Sequence, residues 1–296
     1  ALKNGEVVYS EEVEWNPKMQ SDPDYHYREI STAIKTAAQH LPRVDAIGVS
    51  SAGIYVNNRT MIASLFLKVP LDLFNQKVKD IYLNIQKEWG NVPLLVRNDG
   101  DVTALAGAMS LNDTKILGIA MGTSEAAGYI DENGNIKGWL NELAFVPVDL
   151  NPNAMMDEWS GDYGCGVKYF SQDAVIKLAP AAGIQLEDSL SPGEKLKVVQ
   201  KLMEEGHEGA RNIYETIGIY LGYTIPYYAE FYNIKHLLIL GRVTSGKGGN
   251  IILNMAKKVI DVEFPELSSI INLHIPDESN RRIGQAVAAA SLPVIE

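Results

Sequence analysis

The chain has 296 residues, 46% of them hydrophobic and 21% charged, and a net charge of −11. That length allows two ordinary domains or one large one, and the composition is that of a globular protein. The acidity and the lack of any Lys/Arg block exclude non-specific nucleic-acid binding, no apolar run is long enough to span a bilayer, and the single cysteine, Cys165, excludes an intramolecular disulfide and a multi-cysteine metal site.

Residues 5–15, GEVVYSEEVEW, read as a strand entered through a turn at Asn4-Gly5. The spacing of Tyr27, Ile30, Ile34, Ala37, Ala38 and Leu41 predicts an amphipathic helix over 24–41. DAIGVSSAGIYV (45–56) reads as a strand ending in a small-residue turn, and 73–89 as a helix stopping at Gly90. VPLLVRN (92–98) is a buried strand leading into a helix over 101–110. TKILGIAMG (114–122) is a second buried strand, and AAGYIDENGNIKG (126–138) a hairpin turning at Asn133-Gly134. Helices follow over 171–179, 193–205, 208–231 and 248–262, with Pro226 expected to bend or break the third. Strands are expected at 236–241 and 270–275, and a last helix at 280–291.

Strands alternating with helices make the fold class α/β. Two strands echo one another, each ending in a glycine-containing turn before a helix: IGVSSAG, with Gly53, and LLILGRVTSGKGG, with Gly241 and Gly246. Ligands of open α/β sheets sit at the carboxyl ends of strands, so these turns are candidate sites. A third is RNDGDVTALAG (97–107), which puts Asn98, Asp99 and Asp101 at the end of a buried strand. Polar groups are costly there unless they bind something. Taken alone, Asp99 reads as a helix cap. The five histidines show no metal-ligand spacing and read as surface or structural residues.

Five segments together resemble the ROK family (repressors, open reading frames, kinases), and the resemblance spans nearly the whole chain. RNDGDVTALAG is similar to the family's E-N-D-A-N-x-x-A-L. GIAMGTSEAAGYI (118–130) is similar to its phosphate loop. GWLNELAFVPVD (138–149) aligns with G-x-x-G-E-x-G-H-x-P-V, EWSGDYGCGVKYFS (158–171) with C-x-C-G-x-x-G-C-x-E-x-x-x-S, and LLILGRVTSGKGGNIIL (237–253) with an apolar strand before G-G-x-x-x-x-G. IGQAVAAAS (283–291) resembles the closing helix.

The resemblance implies a two-domain actin/hexokinase-like (ribonuclease H-like) ATPase fold with a cleft between the domains. Residues 1–112 and 281–296 would form the smaller domain and 113–280 the larger. It implies an ATP-dependent kinase of a hexose or N-acylhexosamine. Asp99 would be the general base, and Asn98, Glu142 and Gly53 would hold the sugar. Gly122, Thr123, Ser124, Gly241 and Gly246 would hold ATP with Mg²⁺. A cytoplasmic homodimer is implied, with helix 208–231 as a candidate contact and no nucleic-acid or membrane partner.

Departures mark a divergent member. Phe145 stands for the family's histidine, Val167 for a sugar-binding glutamate, and Asp101 for an asparagine. Glu125 adds a carboxylate to the phosphate loop. Glu158 and Ser160 replace two zinc cysteines, and one thiolate cannot build a tetrahedral site, so no structural zinc and no other bound metal site is expected. The opening D-x-G-G-T motif is not in the sequence, whose first residues look like what should follow one. Either a natural start lies further upstream, which is the more economical expectation, or the first phosphate loop has been lost. The competing reading is a non-catalytic sugar-binding or regulatory relative. An acid kinase of the same fold has no basic pocket motif behind it.

Overall fold

The computed structural model describes residues 1–276 and 278–294, without the side chains of 278–283. The chain forms two compact units, Ala1–Ala106 with Ser279–Glu296, and Gly107–Glu278.

The first unit opens with a two-residue hairpin, β1 (Leu2–Lys3) against β2 (Glu6–Val7), closed through the left-handed Asn4 and Gly5. The strand expected over 5–15 stops at Val7. Its alternating pattern has no further strand to pair with, and Glu11, Val13 and Trp15 instead line a cavity. Helix α1 (Pro23–Ala38) starts where Asp22 accepts the Asp24 N–H at 2.9 Å and Pro23 occupies the first helical position. This cap satisfies one orphan donor and contributes about 1 kcal/mol.

Strand β3 (Ile47–Ser51) leads into the hairpin β4 (Ile54–Val56) and β5 (Arg59–Ile62). The helix expected over 73–89 is interrupted. α2 (Leu71–Leu73) runs into a π-helical turn, Phe74–Val78, and α3 (Ile81–Glu88) begins afresh. The Lys79 carbonyl accepts the Thr60 N–H of β5 at 2.9 Å, which draws it out of the helical ladder. Strand β6 (Leu94–Asn98) pairs parallel with β3, Ile47 opposite Leu94 and Ser51 opposite Asn98. Ile47, Phe66, Val78, Ile81, Tyr82, Ile85 and Val96 form the core beneath them. Each large side chain fully buried there contributes about 1.5–3 kcal/mol.

Helix α4 (Asp99–Leu111) follows β6 directly, two residues earlier than the periodicity indicates. The second unit is built on a four-stranded sheet in the order β10 (Asn272–His274), β9 (His236–Leu240), β7 (Ile116–Met121), β8 (Glu125–Ile130). Strands β7 (Ile116–Met121) and β8 (Glu125–Ile130) are antiparallel. The Asn133-Gly134 turn is present, but beyond it the expected hairpin is a single bridge, Ile130 to Ile136. Helices α5 (Gln172–Leu178), α6 (Pro192–Glu204) and α7 (Glu208–Ala229) cover the sheet. α6 opens with a reciprocal capping box between Ser191 and Glu194, and His207 caps α7 through Nδ1. Pro226 does not break α7, which continues to Ala229.

Strand β9 (His236–Leu240) and helix α8 (Lys247–Glu263) carry the second echo motif. β9 pairs parallel with β7 and with β10 (Asn272–His274); a short α9 (Pro265–Ser268) lies between α8 and β10. The core joins Ile119, Tyr129, Phe170, Tyr214, Leu221 and Ile239. The final helix, α10 (Glu278–Ala290), returns the chain to the first unit.

Candidate functional site

The site residues named from the sequence fall into two sets, one in each unit. In the first unit, parallel pairing places Ser51 and Asn98 side by side at the carboxyl ends of β3 and β6. Asn98 then does two things. Its Nδ2 donates to the Gly53 carbonyl at 2.9 Å, and its Oδ1 accepts the Gly100 N–H at 2.8 Å. Asn98 therefore caps α4 and ties its start to the turn after β3. Gly53 has φ +126°, and a Cβ there would lie 2.5 Å from the Ile62 carbonyl oxygen, so both conformation and space require glycine.

Asp99 is the first residue of α4 and is half-buried. It lines a cavity of about 860 Å³ within this unit, together with Ser50, Ser51, Tyr82 and Gln285. Burial raises its carboxyl above the usual range, against the pull of its own and the Gly100 N–H groups. Gln285 of α10 braces the position, donating to the Ser50 hydroxyl at 3.1 Å and to the Asp99 carbonyl at 3.3 Å. Tyr55 and Tyr82 both donate to Ser51 Oγ, at 2.7 and 3.1 Å. None of these three was readable from the motifs, because each reaches the site from another element. Asp101, two residues on in the same first turn of α4, is buried.

In the second unit, Gly122, Thr123 and Ser124 form the turn between β7 and β8, closed by Gly122 N–H to Ser124 carbonyl at 3.0 Å. Parallel pairing of β7 and β9 brings this turn beside Gly241. Gly241 has φ +108°, and a Cβ would sit 2.3 Å from the Met121 carbonyl oxygen. Arg242 then donates to Thr123 Oγ1. The sequence motifs give Arg242 no role; the strand register puts it beside the loop. The turn offers backbone N–H groups, two hydroxyls and an exposed guanidinium, a donor set that fits phosphate oxygens.

Gly246 lies elsewhere, at the head of α8. The Glu204 carboxylate accepts the Lys247 N–H at 3.0 Å there, so an acidic side chain already occupies this helix N-terminus. Glu142 is exposed at the start of the turn Leu143–Phe145. Glu125 points inward. It is 5% exposed, and neither carboxylate oxygen has a partner. A Cβ on Gly166 would lie 2.4 Å from Glu125 Oε2, so the bare glycine backbone makes room for it. Burial pushes its carboxyl up to about 8, so it is predominantly neutral at pH 7.

The segment where the family carries zinc cysteines is held differently. Lys168 is buried among Asp157, Glu158 and Asp173, with its Nζ 3.2 Å from Asp157 and 2.7 Å from Asp173. Burial works against its charge, but the carboxylates more than offset this and hold the ammonium above its usual range. Cys165 is buried and unpaired. Among the described residues no group of three or more His, Cys, Asp or Glu is arranged to hold a metal ion, and no helix is long and apolar enough to cross a membrane.

No protein-family model matches the sequence, and no curated protein matches it. Solved structures do. A ROK family transcriptional regulator, a homolog of the E. coli MLC protein, superposes with TM-score 0.71 at 19% identity, over 90% of this chain and 67% of that one. The chain has the ROK-family fold. The ROK hexokinase from Thermus thermophilus aligns with TM-score 0.68 at 16% identity, over 93% of this chain and 88% of that one. A ROK glucokinase from Streptomyces griseus, solved with glucose and AMPPNP, gives 0.65 at 16%, over 92% and 89%. The ROK fold is thus shared here by sugar kinases and a regulator. It is the α/β, actin/hexokinase-type architecture expected from the motifs.

Proposed function

We propose that this chain is a divergent ROK-family sugar kinase, transferring the γ-phosphoryl group of ATP to a hydroxyl of a hexose or N-acylhexosamine. The observation that carries the reading is Asp99. It is a half-buried carboxylate at the carboxyl end of β6, pinned through Asn98 and Gly53 and made more basic by burial. A sugar hydroxyl is a poor nucleophile until a positioned base accepts its proton. As the hydroxyl oxygen bonds to the γ-phosphorus, the bond to the β,γ-bridging oxygen breaks, ADP leaves, and Asp99 holds the proton.

Asn98, Glu142 and Gly53 are assigned to the sugar side. Gly122, Thr123, Ser124 and Gly241 are assigned to the nucleotide, with Arg242 added. Gly246 belongs to the same proposed set from its motif, with the Glu204 carboxylate at the head of α8 beside it. Mg²⁺ would arrive with the nucleotide, neutralising charge on the phosphates; such ions are bound through phosphate oxygens and water and need no all-protein cage. The location proposed with this reaction is the cytoplasm, where ATP is at hand. The proposed homodimer would use α7, whose Ile219, Tyr223 and Tyr227 are exposed at four-residue spacing, with Phe231 exposed just beyond its end.

Phe145 and Val167 favour the second reading, a sugar-binding regulator without catalysis, since each replaces a polar sugar contact of the resemblance. Sugar-dependent ADP release separates the two. Under the kinase reading wild-type protein releases ADP with one sugar of a hexose and N-acetylhexosamine panel. Asp99→Asn lowers kcat 10²–10⁴-fold, the usual weight of a general base, with sugar affinity changed only a few-fold. Sugar binding without turnover by the wild type would select the regulator.

A further inference from the structure

Two histidine rings meet at the edge of the second unit's sheet. His236 opens β9, and His274 closes β10, the three-residue edge strand. Parallel pairing sets Asn272 opposite His236 and His274 opposite Leu238, so side chains 236 and 274 share one face of the sheet. Their ring centroids lie 5.0 Å apart at 49°, and His236 Nδ1 lies 2.9 Å from His274 Nε2. On its other side, His236 Nε2 lies 3.0 Å from Asp113 Oδ2.

The hydrogens available to these contacts allow few arrangements. Lys235, then His236 and the Thr114 N–H, hold the Asp113 carboxyl well below the usual carboxylate range, so it stays ionised. An ionised carboxylate only accepts, which assigns a hydrogen to His236 Nε2. The contact between the rings takes one hydrogen, since a hydrogen bond needs one donor and one lone pair. With both rings neutral, His274 Nε2 donates to His236 Nδ1. With one added proton, His236 is the cation and donates from both nitrogens, while His274 Nε2 accepts. A second proton removes the last lone pair. Two N–H groups and two like charges then face each other across 2.9 Å, and the rings must part.

The neighbouring charges do not neutralise that second proton. On the His236 side Asp113 is already paired with Lys235, and Lys115 gives its carbonyl, which accepts the Lys235 and His236 N–H groups at 2.8 and 3.1 Å. On the His274 side, Lys257 and Asp261 of α8 line a groove of about 190 Å³ with Ser268, Asn272 and His274, and pair with each other at 3.0 Å. Burial, and after it the neighbouring His236, hold His274 below the usual imidazole range. Unfolded, His274 titrates near 6.5, so the tie is complete above that value and is lost as pH falls below it. Little else holds the end of β10. It has three ladder positions and, as an edge strand, a partner on one side only.

We propose that Asp113, His236 and His274 form a proton-operated latch on β10, closed while the two rings share one hydrogen and open when both are protonated. Opening frees the end of β10, and with it the start of the segment that leaves the second unit at Glu278. The latch involves neither nucleotide nor sugar and stands apart from the kinase reading.

The test is hydrogen exchange read by mass spectrometry on the full chain at pH 7.5 and pH 5.0, with rates corrected for the intrinsic effect of pH on amide exchange. The peptide over 270–276 should lose protection about tenfold or more at pH 5.0, while β7, in the middle of the sheet, keeps its own. His274→Gln can still hydrogen-bond but takes up no proton, so its protection should agree within about twofold at the two pH values. Nitrogen-15 spectra of the two rings should show both as imidazolium only under the conditions that open the peptide. Equal protection of 270–276 at both pH values in the wild type would overturn the latch. So would a pH response in His274→Gln equal to that of the wild type. Loss of protection at pH 7.5 on adding EDTA would make the contact a metal bridge rather than a shared hydrogen, and would overturn it as well.

Discussion

The Asn98 amide donates to the carbonyl of Gly53 at 2.9 Å and so joins the ends of two strands 45 positions apart in the chain. The same side chain caps α4. Asn98→Ala should therefore cost about 1 kcal/mol of stability as a lost cap. It should also lower kcat more than a cap alone explains, because Asp99 loses its anchor. Asn98→Asp keeps the cap acceptor but not the donor to Gly53. Urea denaturation and kinetics on both variants separate capping, which Asp restores, from positioning, which it does not.

Arg242 is the cation beside the Gly122–Ser124 turn. If this turn holds ATP, Arg242→Ala should raise KM for ATP about tenfold or more, with sugar affinity little changed. Arg242→Lys should recover only part, since a point charge replaces a planar fork. Nucleotide titration calorimetry reads this directly. Equal ATP affinity in wild type and Arg242→Ala would move the nucleotide away from this turn.

Glu125 makes stability depend on pH. Its carboxyl stays protonated in the fold up to about 8, but ionises near 4.5 once unfolded. Between those values unfolding releases a proton, so stability falls as pH rises. The stabilisation is full below about 4.5 and is lost as pH climbs through 8. Glu125→Gln keeps the neutral shape without the charge, so its stability should exceed wild type by a margin that grows from pH 5 to pH 9. Denaturation midpoints at pH 5, 7 and 9 check this; parallel curves would show a partnered carboxylate.

The exposed stripe on α7 predicts self-association. Tyr223→Glu lies at its centre and is half-exposed in the monomer, so the fold should tolerate it. Sedimentation velocity should show a dimer for wild type and a monomer for Tyr223→Glu at micromolar concentration. A monomeric wild type would leave the stripe without this role.

Much of the fold was legible because it is locally encoded. The helical spacing of Tyr27, Ile30, Ile34 and Leu41 and the run of apolar residues in β7 and β9 state their elements within a few positions. The errors fell where a distant group intervened. The helix expected over 73–89 breaks because Thr60, on another strand, takes the Lys79 carbonyl. The strand expected over 5–15 fails for want of a partner. Pro226 stays helical because α7 is packed along its length in the core of the second unit.

By itself the sequence determined the α/β class, the strand-end positions of Asn98, Asp99, Gly122 and Gly241, and the family whose fold the chain shares. The class and the strand-end positions depend on periodicity and glycine turns, which act over a few residues, and the family on the resemblance of its motifs. Tertiary structure alone decided that the Asn98 amide donates to Gly53, and that Glu125 turns inward beside Gly166. It also brought Arg242 to Thr123, and gathered Asp157, Glu158 and Asp173 around Lys168. Each of these depends on which strand lies beside which, and on where a side chain meets a backbone far along the chain. Pairing register and burial set that geometry, and neither can be counted along the chain.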